Sequence, residues 1–223
     1  LIAALAATGC FLLLDSPLFE VRKVTITGIS RIAEEEIIEL AGLGAGMSTW
    51  QLSLGRVRRM IEAHPRVLRA RVSRDLPSGI VIAVVERPVA ALLPYYASFL
   101  EVDEQGRVLG LAETLPMVPV ITGVEVGRAL PGDDVSDRLE TALILLAYVG
   151  KDRDLLAEIH LAAGGEVVVY TARGTAAYFG SPEAMAAKVS ALRAVVDELA
   201  AKGQRAEYID LRHPARPRVK LAD

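Results

Sequence analysis

Cysteine is almost missing from this chain. Cys10 stands alone among 223 residues, so no internal disulfide can form and the fold must rest on its apolar core. Histidine is nearly as scarce. His64, His160 and His213 lie far apart, none at metal-ligand spacing, and the sequence holds no His-Glu-x-x-His, no Cys-x-x-Cys and no Gly-x-Ser-x-Gly. Residues 43–47, Leu-Gly-Ala-Gly-Met, are glycine-rich but lack the third glycine and the Lys-Ser/Thr of a phosphate cradle, so they read as a turn. No residue type in this pattern nominates a nucleophile, a general base, a metal site or a cofactor site, and the chain reads as a non-enzyme. A dominant charge is lacking too: the net charge of −3 implies no general attraction to nucleic acid.

Apolar residues, by contrast, are plentiful. They make up 52% of the chain, with a mean hydropathy of +0.35, which points to a membrane segment or to very apolar strands. Residues 1–14 carry no charge at all. A spanning helix needs roughly 20 residues, and the chain opens on Leu rather than Met, so this run reads as the C-terminal part of a signal anchor. A cleaved signal peptide and a buried helix are the competing readings. Ala7-Thr8-Gly9-Cys10 resembles a lipoprotein cleavage box, but residues 11–14 continue the apolar run where a mature lipoprotein would turn polar. Asp15-Ser16-Pro17 marks the exit, which gives residues 1–18 as membrane segment and short spacer.

The next seventy residues read strand, helix, helix, strand, strand. Residues 19–28 are β-rich, with Val24 and Ile26 on one face and Gly28 as the stop. A helix over 33–41 opens on Glu34, Glu35 and Glu36, which suit the positive end of its dipole, and closes at Gly42. A second helix over 53–63 has Leu54, Val57 and Ile61 on one face and ends at His64-Pro65. Leu68, Ala70 and Val72 then alternate with Arg69, Arg71 and Ser73 as a half-buried strand, and residues 80–86 form a nearly all-apolar one. Arg56, Arg58, Arg59, Arg66, Arg69, Arg71 and Arg74 make this region basic: a solvated face, an attraction to anionic headgroups, or a contact with a charged partner. Aromatic residues to stack bases are absent from the run, which argues against nucleic acid.

Pro88 breaks the chain into a second domain, residues 89–223. Strands are expected over 90–96, 99–103 and 107–109, with 118–121 an edge segment at best among its prolines. Leu139, Leu143 and Leu146 line a helix over 135–149. Three antiparallel strands follow at 158–161, 166–172 and 176–179, turned at Gly164-Gly165 and Arg173-Gly174. Ser181-Pro182 offers N-cap and N1 for a helix over 182–202, with Met185, Val189, Leu192, Val196 and Leu199 inward and Glu183, Lys188, Arg193 and Lys202 facing water. Residues 207–212 are a last strand. Asp103 and Asp210 read as structural carboxylates. The fold class is α+β: a βααββ unit, then a mostly antiparallel sheet with flanking helices.

These residues also resemble a known family. The pattern Phe19-x-Val21-x-x-Val24-x-Ile26-x-Gly28, then Pro65-x-Val67, Arg74-x-Leu76-Pro77 and Val84-x-Glu86-Arg87-Pro88-Val89-Ala90 is similar to the POTRA domain of the FtsQ/DivIB division proteins. The likeness continues through Leu100-Glu101-Val102-Asp103-x-x-Gly106 and Leu115-Pro116 to Tyr208-Ile209-Asp210-Leu211-Arg212, almost the whole chain. It implies a POTRA domain at 19–88 and an FtsQ-type β domain at 89–223. It further implies a single-pass, inner-membrane scaffold at the division septum, with the bulk of the chain outside the cytoplasm. The implied partners are FtsB-like and FtsL-like coiled-coil membrane proteins and the septal peptidoglycan synthases. The implied docking strip is an exposed edge carried by Tyr208, Leu211, Arg212, His213, Ala215, Arg216, Val219 and Leu221. Pro214 and Pro217 depart from the expected pattern. The alternative is a POTRA-containing component of an outer-membrane export or assembly machine, for which the alternating barrel segments are missing.

Overall fold

The computed structural model describes residues 17–44 and 46–222. The predicted membrane segment lies, up to residue 16, outside the described residues. Among the described residues, no helix is long and apolar enough to cross a membrane. The chain divides into two compact units between Arg87 and Pro88.

The first unit runs β1 (Lys23–Thr27), α1 (Glu34–Ala41), α2 (Leu54–Glu62), β2 (Val67–Asp75) and β3 (Gly79–Glu86). Its three-stranded sheet has the order β1-β3-β2, with β1 parallel and β2 antiparallel to β3. The core joins Ile37 of α1 and Val57 and Ile61 of α2 to Val67, Ala70, Ile80, Ile82 and Val84 of the sheet. The strand expected over 19–28 begins only at Lys23. Phe19 lies in a 3-10 turn, and Glu20 leaves the ladder to bridge Ser48. The alternation expected in β2 also changes phase. A register shift between Val67 and Arg69 turns Leu68 out to 46% exposure, so Val67 and Ala70 are the buried pair.

Two family-pattern residues hold this unit's loops. Gly28 has φ +83°, and a Cβ there would stand 2.0 Å from the Val84 carbonyl oxygen, so only glycine fits. Glu86, at the end of β3, accepts hydrogen bonds from the backbone N–H groups of Ser30 (2.7 Å), Arg31 (2.9 Å) and Ile32 (3.2 Å) and from the Ser30 hydroxyl (2.8 Å). Partial burial pushes the Glu86 carboxyl up, but these donors together hold it below its ordinary value. Glu86 thereby pins the loop ahead of α1.

The second unit is built on a nine-stranded sheet. Its strands are β4 (Ala91–Tyr95), β5 (Ser98–Val102), β6 (Val108–Leu111), β7 (Val120–Thr122), β8 (Leu156–Leu161), β9 (Val167–Thr171), β10 (Ala176–Gly180), β11 (Ala206–Asp210) and β12 (Arg218–Leu221). Their order is β12-β11-β10-β9-β8-β7-β4-β5-β6. Ile159, Val169, Ala177 and Ile209 stand in one cross-strand row, all fully buried, and α3 (Ser136–Val149) and α4 (Met185–Ala201) supply the rest of that core. Pairing is mostly antiparallel; β4–β7, β7–β8 and β10–β11 are parallel.

Three expectations fail here. The segment at 118–121 is no edge: β7 lies inside the sheet between β4 and β8. Its prolines stay outside the three-residue strand, and Pro119 uses its carbonyl to accept the Leu92 N–H at 3.0 Å. The long helix starts at Met185 rather than Pro182, because Ala184 sits in the left-handed region at φ +53°. Lys188 is buried rather than solvated; its Nζ donates to the Ser181 carbonyl at 2.7 Å, and burial lowers its pKa.

The two sheet edges differ. β6 is short and bulged, and its Val108 already donates to the Asp133 carbonyl (2.9 Å) and accepts from the Gly132 N–H (2.8 Å). β12 pairs with β11 alone, and all four of its residues are exposed.

Candidate partner-binding edge

The strand β11 is anchored to β10 at both ends. The Thr175 hydroxyl, itself buried, donates to the Ala206 carbonyl at 3.0 Å, and the Leu211 N–H donates to the Tyr178 carbonyl at 2.9 Å. Tyr208 is half-buried and meets Tyr178 edge to face, with ring centroids 5.9 Å apart. These contacts fix the strand against which β12 is laid.

Asp210 and Arg212 form the rigid centre of the edge. Arg212 donates its Nε to Oδ1 (3.0 Å) and its Nη2 to Oδ2 (2.6 Å), and its backbone N–H also reaches Oδ1 (3.1 Å). The guanidinium holds the Asp210 carboxyl at about 2, well under its usual range, and the pair raises Arg212 in return. The aliphatic stem of Arg212 lies against Gly180, which has φ +65°. Asp210, Arg212, His213, Arg216 and Arg218 line a shallow recess of about 310 Å³. Three arginines against one carboxylate make it a place for an anion, most simply a carboxylate.

A turn links the two strands: Arg216 N–H donates to the His213 carbonyl at 2.9 Å, and Pro214 and Pro217 both lie within this link, outside β12. In β12, Val219 stands opposite Ile209 and Lys220 opposite Tyr208, with Lys220 Nζ 2.5 Å from a Glu207 carboxylate oxygen. Just beyond the strand, the Ala222 N–H points inward to the Arg205 carbonyl at 2.9 Å. An antiparallel strand alternates its bonding direction, so Lys220 and Arg218 also face β11 while Val219 and Leu221 offer their N–H and C=O groups outward. Val219 and Leu221 are 38% and 47% exposed.

The structure therefore brings Arg212, His213, Ala215, Arg216, Val219 and Leu221 to the surface of one edge. Leu211 is different. It is fully buried in the core and supports the edge from beneath, offering no surface to a partner.

Sequence reading missed one polar cluster. On the sheet face opposite the helices, the Thr122 hydroxyl contacts both the Glu158 carboxylate and, at 2.8 Å, His160 Nδ1. β7 and β8 bring these groups together, so no local motif could reveal them. The hydroxyl sits between the imidazole and the carboxylate. Nucleophile activation needs the imidazole in the middle, so the arrangement is a hydrogen-bond bridge rather than a triad. Among the described residues, no three His, Cys, Asp or Glu side chains are grouped to hold a metal ion.

Comparison with known proteins identifies the fold family. Residues 19–87 match the model of the POTRA domain, FtsQ-type, and residues 91–212 match that of the cell division protein FtsQ/DivIB, C-terminal. The chain belongs to the FtsQ/DivIB family. The cell division protein FtsQ of Myxococcus fulvus is 30% identical over 213 residues, covering 92% of this chain and 73% of that protein. FtsQ of an Anaeromyxobacter is 30% identical over 210 residues, covering 91% and 70%. DivIB of Geobacillus kaustophilus is 32% identical over 124 residues, 54% of this chain and 48% of that one. A solved extracytoplasmic domain of DivIB from Geobacillus stearothermophilus is 22% identical, with a TM-score of 0.37, covering 52% of this chain and 96% of that one. The family match ends at Arg212, so β12 lies just beyond it.

Proposed function

We propose that this chain is a non-catalytic, membrane-anchored scaffold of the division machinery whose β12 edge takes up a partner strand. Residues 1–18 would carry the anchor in the inner membrane. The POTRA domain (19–88) and the β domain (89–223) would then lie outside the cytoplasm, at the septum. FtsB-like and FtsL-like coiled-coil membrane proteins are the proposed partners. Holding them would bear on septal peptidoglycan synthesis.

The observation that carries this reading is the exposed β12 edge of the nine-stranded sheet. Outward N–H and C=O groups on Val219 and Leu221 can pair with an added strand, while exposed side chains beside them set specificity. Each new backbone bond contributes only about 0.5–1.5 kcal/mol, so several in register and a side-chain anchor are needed. The basic recess beside β12 supplies that anchor for an acidic residue on the partner.

The test is a binding titration with the extracytoplasmic segment of the FtsB-like partner. His213→Glu and Val219→Glu are expected to weaken binding at least tenfold while the melting curve stays put. Unchanged affinity in both folded variants would move the site off β12.

A further inference from the structure

We propose that Leu18, Phe19, Met47, Trp50 and Leu76, at the end of the first unit where the chain enters it, form a membrane-contact surface seated in the headgroup layer of the bilayer. The inference rests on the anchoring reading of residues 1–14 and adds the place where the folded domain touches lipid.

Three chain segments are knitted together at this end. Val21 N–H donates to the Met47 carbonyl (2.8 Å), Thr49 N–H to the Phe19 carbonyl (2.7 Å), and the Thr49 hydroxyl to the Pro77 carbonyl (3.0 Å). The Phe19 ring meets Trp50 edge to face at 6.1 Å. Trp50 is 43% exposed, Met47 40% and Leu76 51%, so the apolar side chains of this knot point away from the core. Large apolar side chains grouped and exposed in this way mark a contact surface.

The exposure of Trp50 is built in. Arg74 donates its Nε to the Thr49 carbonyl (2.6 Å) and its Nη2 to the carbonyls of Leu52 (2.9 Å) and Trp50 (3.3 Å), which staples the loop. The same guanidinium carbon stands 5.6 Å from the centre of the indole ring. An indole held half-exposed between Phe19 and Arg74 suits the boundary between lipid and water, where such rings are enriched.

The position of the knot decides for lipid over a protein partner. The uncharged run ends at Leu14, and four residues span at most about 14 Å to Leu18. A chain whose anchor stops there holds this end of the domain against the bilayer surface. Arg22, Lys23 and Arg56 lie exposed on the segments around the knot, where phosphates would meet them, while Glu20 and Asp75 on the same segments offset part of that charge. The contact is thus led by apolar side chains, and anionic lipid strengthens it rather than creating it.

Trp50 is the only tryptophan in the chain, so it reports on this surface by itself. The full chain is reconstituted into phosphatidylcholine–phosphatidylglycerol vesicles carrying lipids brominated near the headgroup, and Trp50 emission and acrylamide quenching are read. Quenching by the brominated lipid, with an acrylamide quenching constant at least about twofold below that of the Leu18→Glu, Met47→Glu double variant, supports the proposal. The wild-type lipid quenching stands alone if that variant does not fold. Retention on the vesicles through an alkaline carbonate wash, with Trp50 open to acrylamide and untouched by bromine, overturns the proposal and leaves anchoring intact. Loss of both retention and quenching overturns both readings; quenching without retention keeps the surface and overturns the anchor. Shielding of Trp50 in native membranes but not in the vesicles gives the surface to a protein partner and overturns the lipid contact.

Discussion

The stem of Arg212 lies across Gly180, so close that a Cβ on residue 180 would stand 2.9 Å from Arg212 Cγ. A strand-end glycine of β10 thus sets the height at which the guanidinium meets Asp210, two strands from where a partner would dock. Gly180→Ala adds a methyl at φ +65°, which strains the backbone and lifts Arg212 together. We expect a stability loss of more than about 1 kcal/mol and weaker partner binding, read by denaturant melt and titration. An unchanged affinity at full stability would mean that the pose of Arg212 does not matter to docking.

The low pKa of Asp210 has a definite sign. A carboxyl held at about 2 in the fold, against 3.8 ordinarily, favours the native state at every pH above 3.8, and this contribution fades as pH falls towards 2. Asp210→Asn is therefore expected to be less stable than the parent at pH 5 and to converge with it near pH 2. Glu86, whose pKa is also lowered, adds an acid-sensitive step of the same sign in the first unit. Glu86→Gln variants melted across pH 3–6 check it; a gap between parent and variant that widens on acidification would reverse the assignment.

Leu192 and Lys188 sit on the same buried side of α4, at 2% exposure each, yet they predict opposite outcomes. Leu192→Ala leaves a cavity and should cost about 2–5 kcal/mol. Lys188→Met keeps the length and apolar stem while removing a charge whose burial is unfavourable, so stability should stay within about 1 kcal/mol of the parent. Equal losses in the two variants, measured by urea unfolding, would show that the Lys188 hydrogen bond to Ser181 outweighs its desolvation.

Neighbouring residues of β12 should respond differently to proline. Val219 faces its N–H outward, so Val219→Pro removes a donor that only a partner uses: binding should fall at least tenfold with the fold intact. Lys220 faces its N–H to β11, so Lys220→Pro should lower stability and detach the strand. Loss of stability in the first variant and not in the second would reverse the direction of the ladder.

The βααββ order of the first unit and most strands of the second were legible because apolar period and turn residues agree there. Where they failed, a neighbour decided. One extra residue at Leu68 turns that side chain out and Val67 in, while Ala70 and Val72 keep the expected face, and only the pairing with β3 shows it. The prolines near Val120 suggested an edge, but they border a strand too short to contain them. Lys188 looked solvated because a lone cation on a helix usually is; the Ser181 carbonyl that receives it follows from the left-handed turn at Ala184. At the docking edge, the Tyr208–Arg212 motif was readable as a pattern, though Leu211 belongs to the core. The contact of Arg212 with Gly180 joins residues some thirty positions apart, across a helix, so no local spacing encodes it, while the recess depends on how the turn after Arg212 folds residues 210–218 together.

The inequality of the two sheet edges limits assembly. Growth by strand addition needs a surface at each end, one to accept and one to offer. Here Val108 of β6 already bonds Gly132 and Asp133, so β6 offers a further copy at most the short stretch beyond Val108, whereas β12 is exposed along its whole length. An edge open along its length and one partly closed are poorly matched ends for growing this sheet into a polymer.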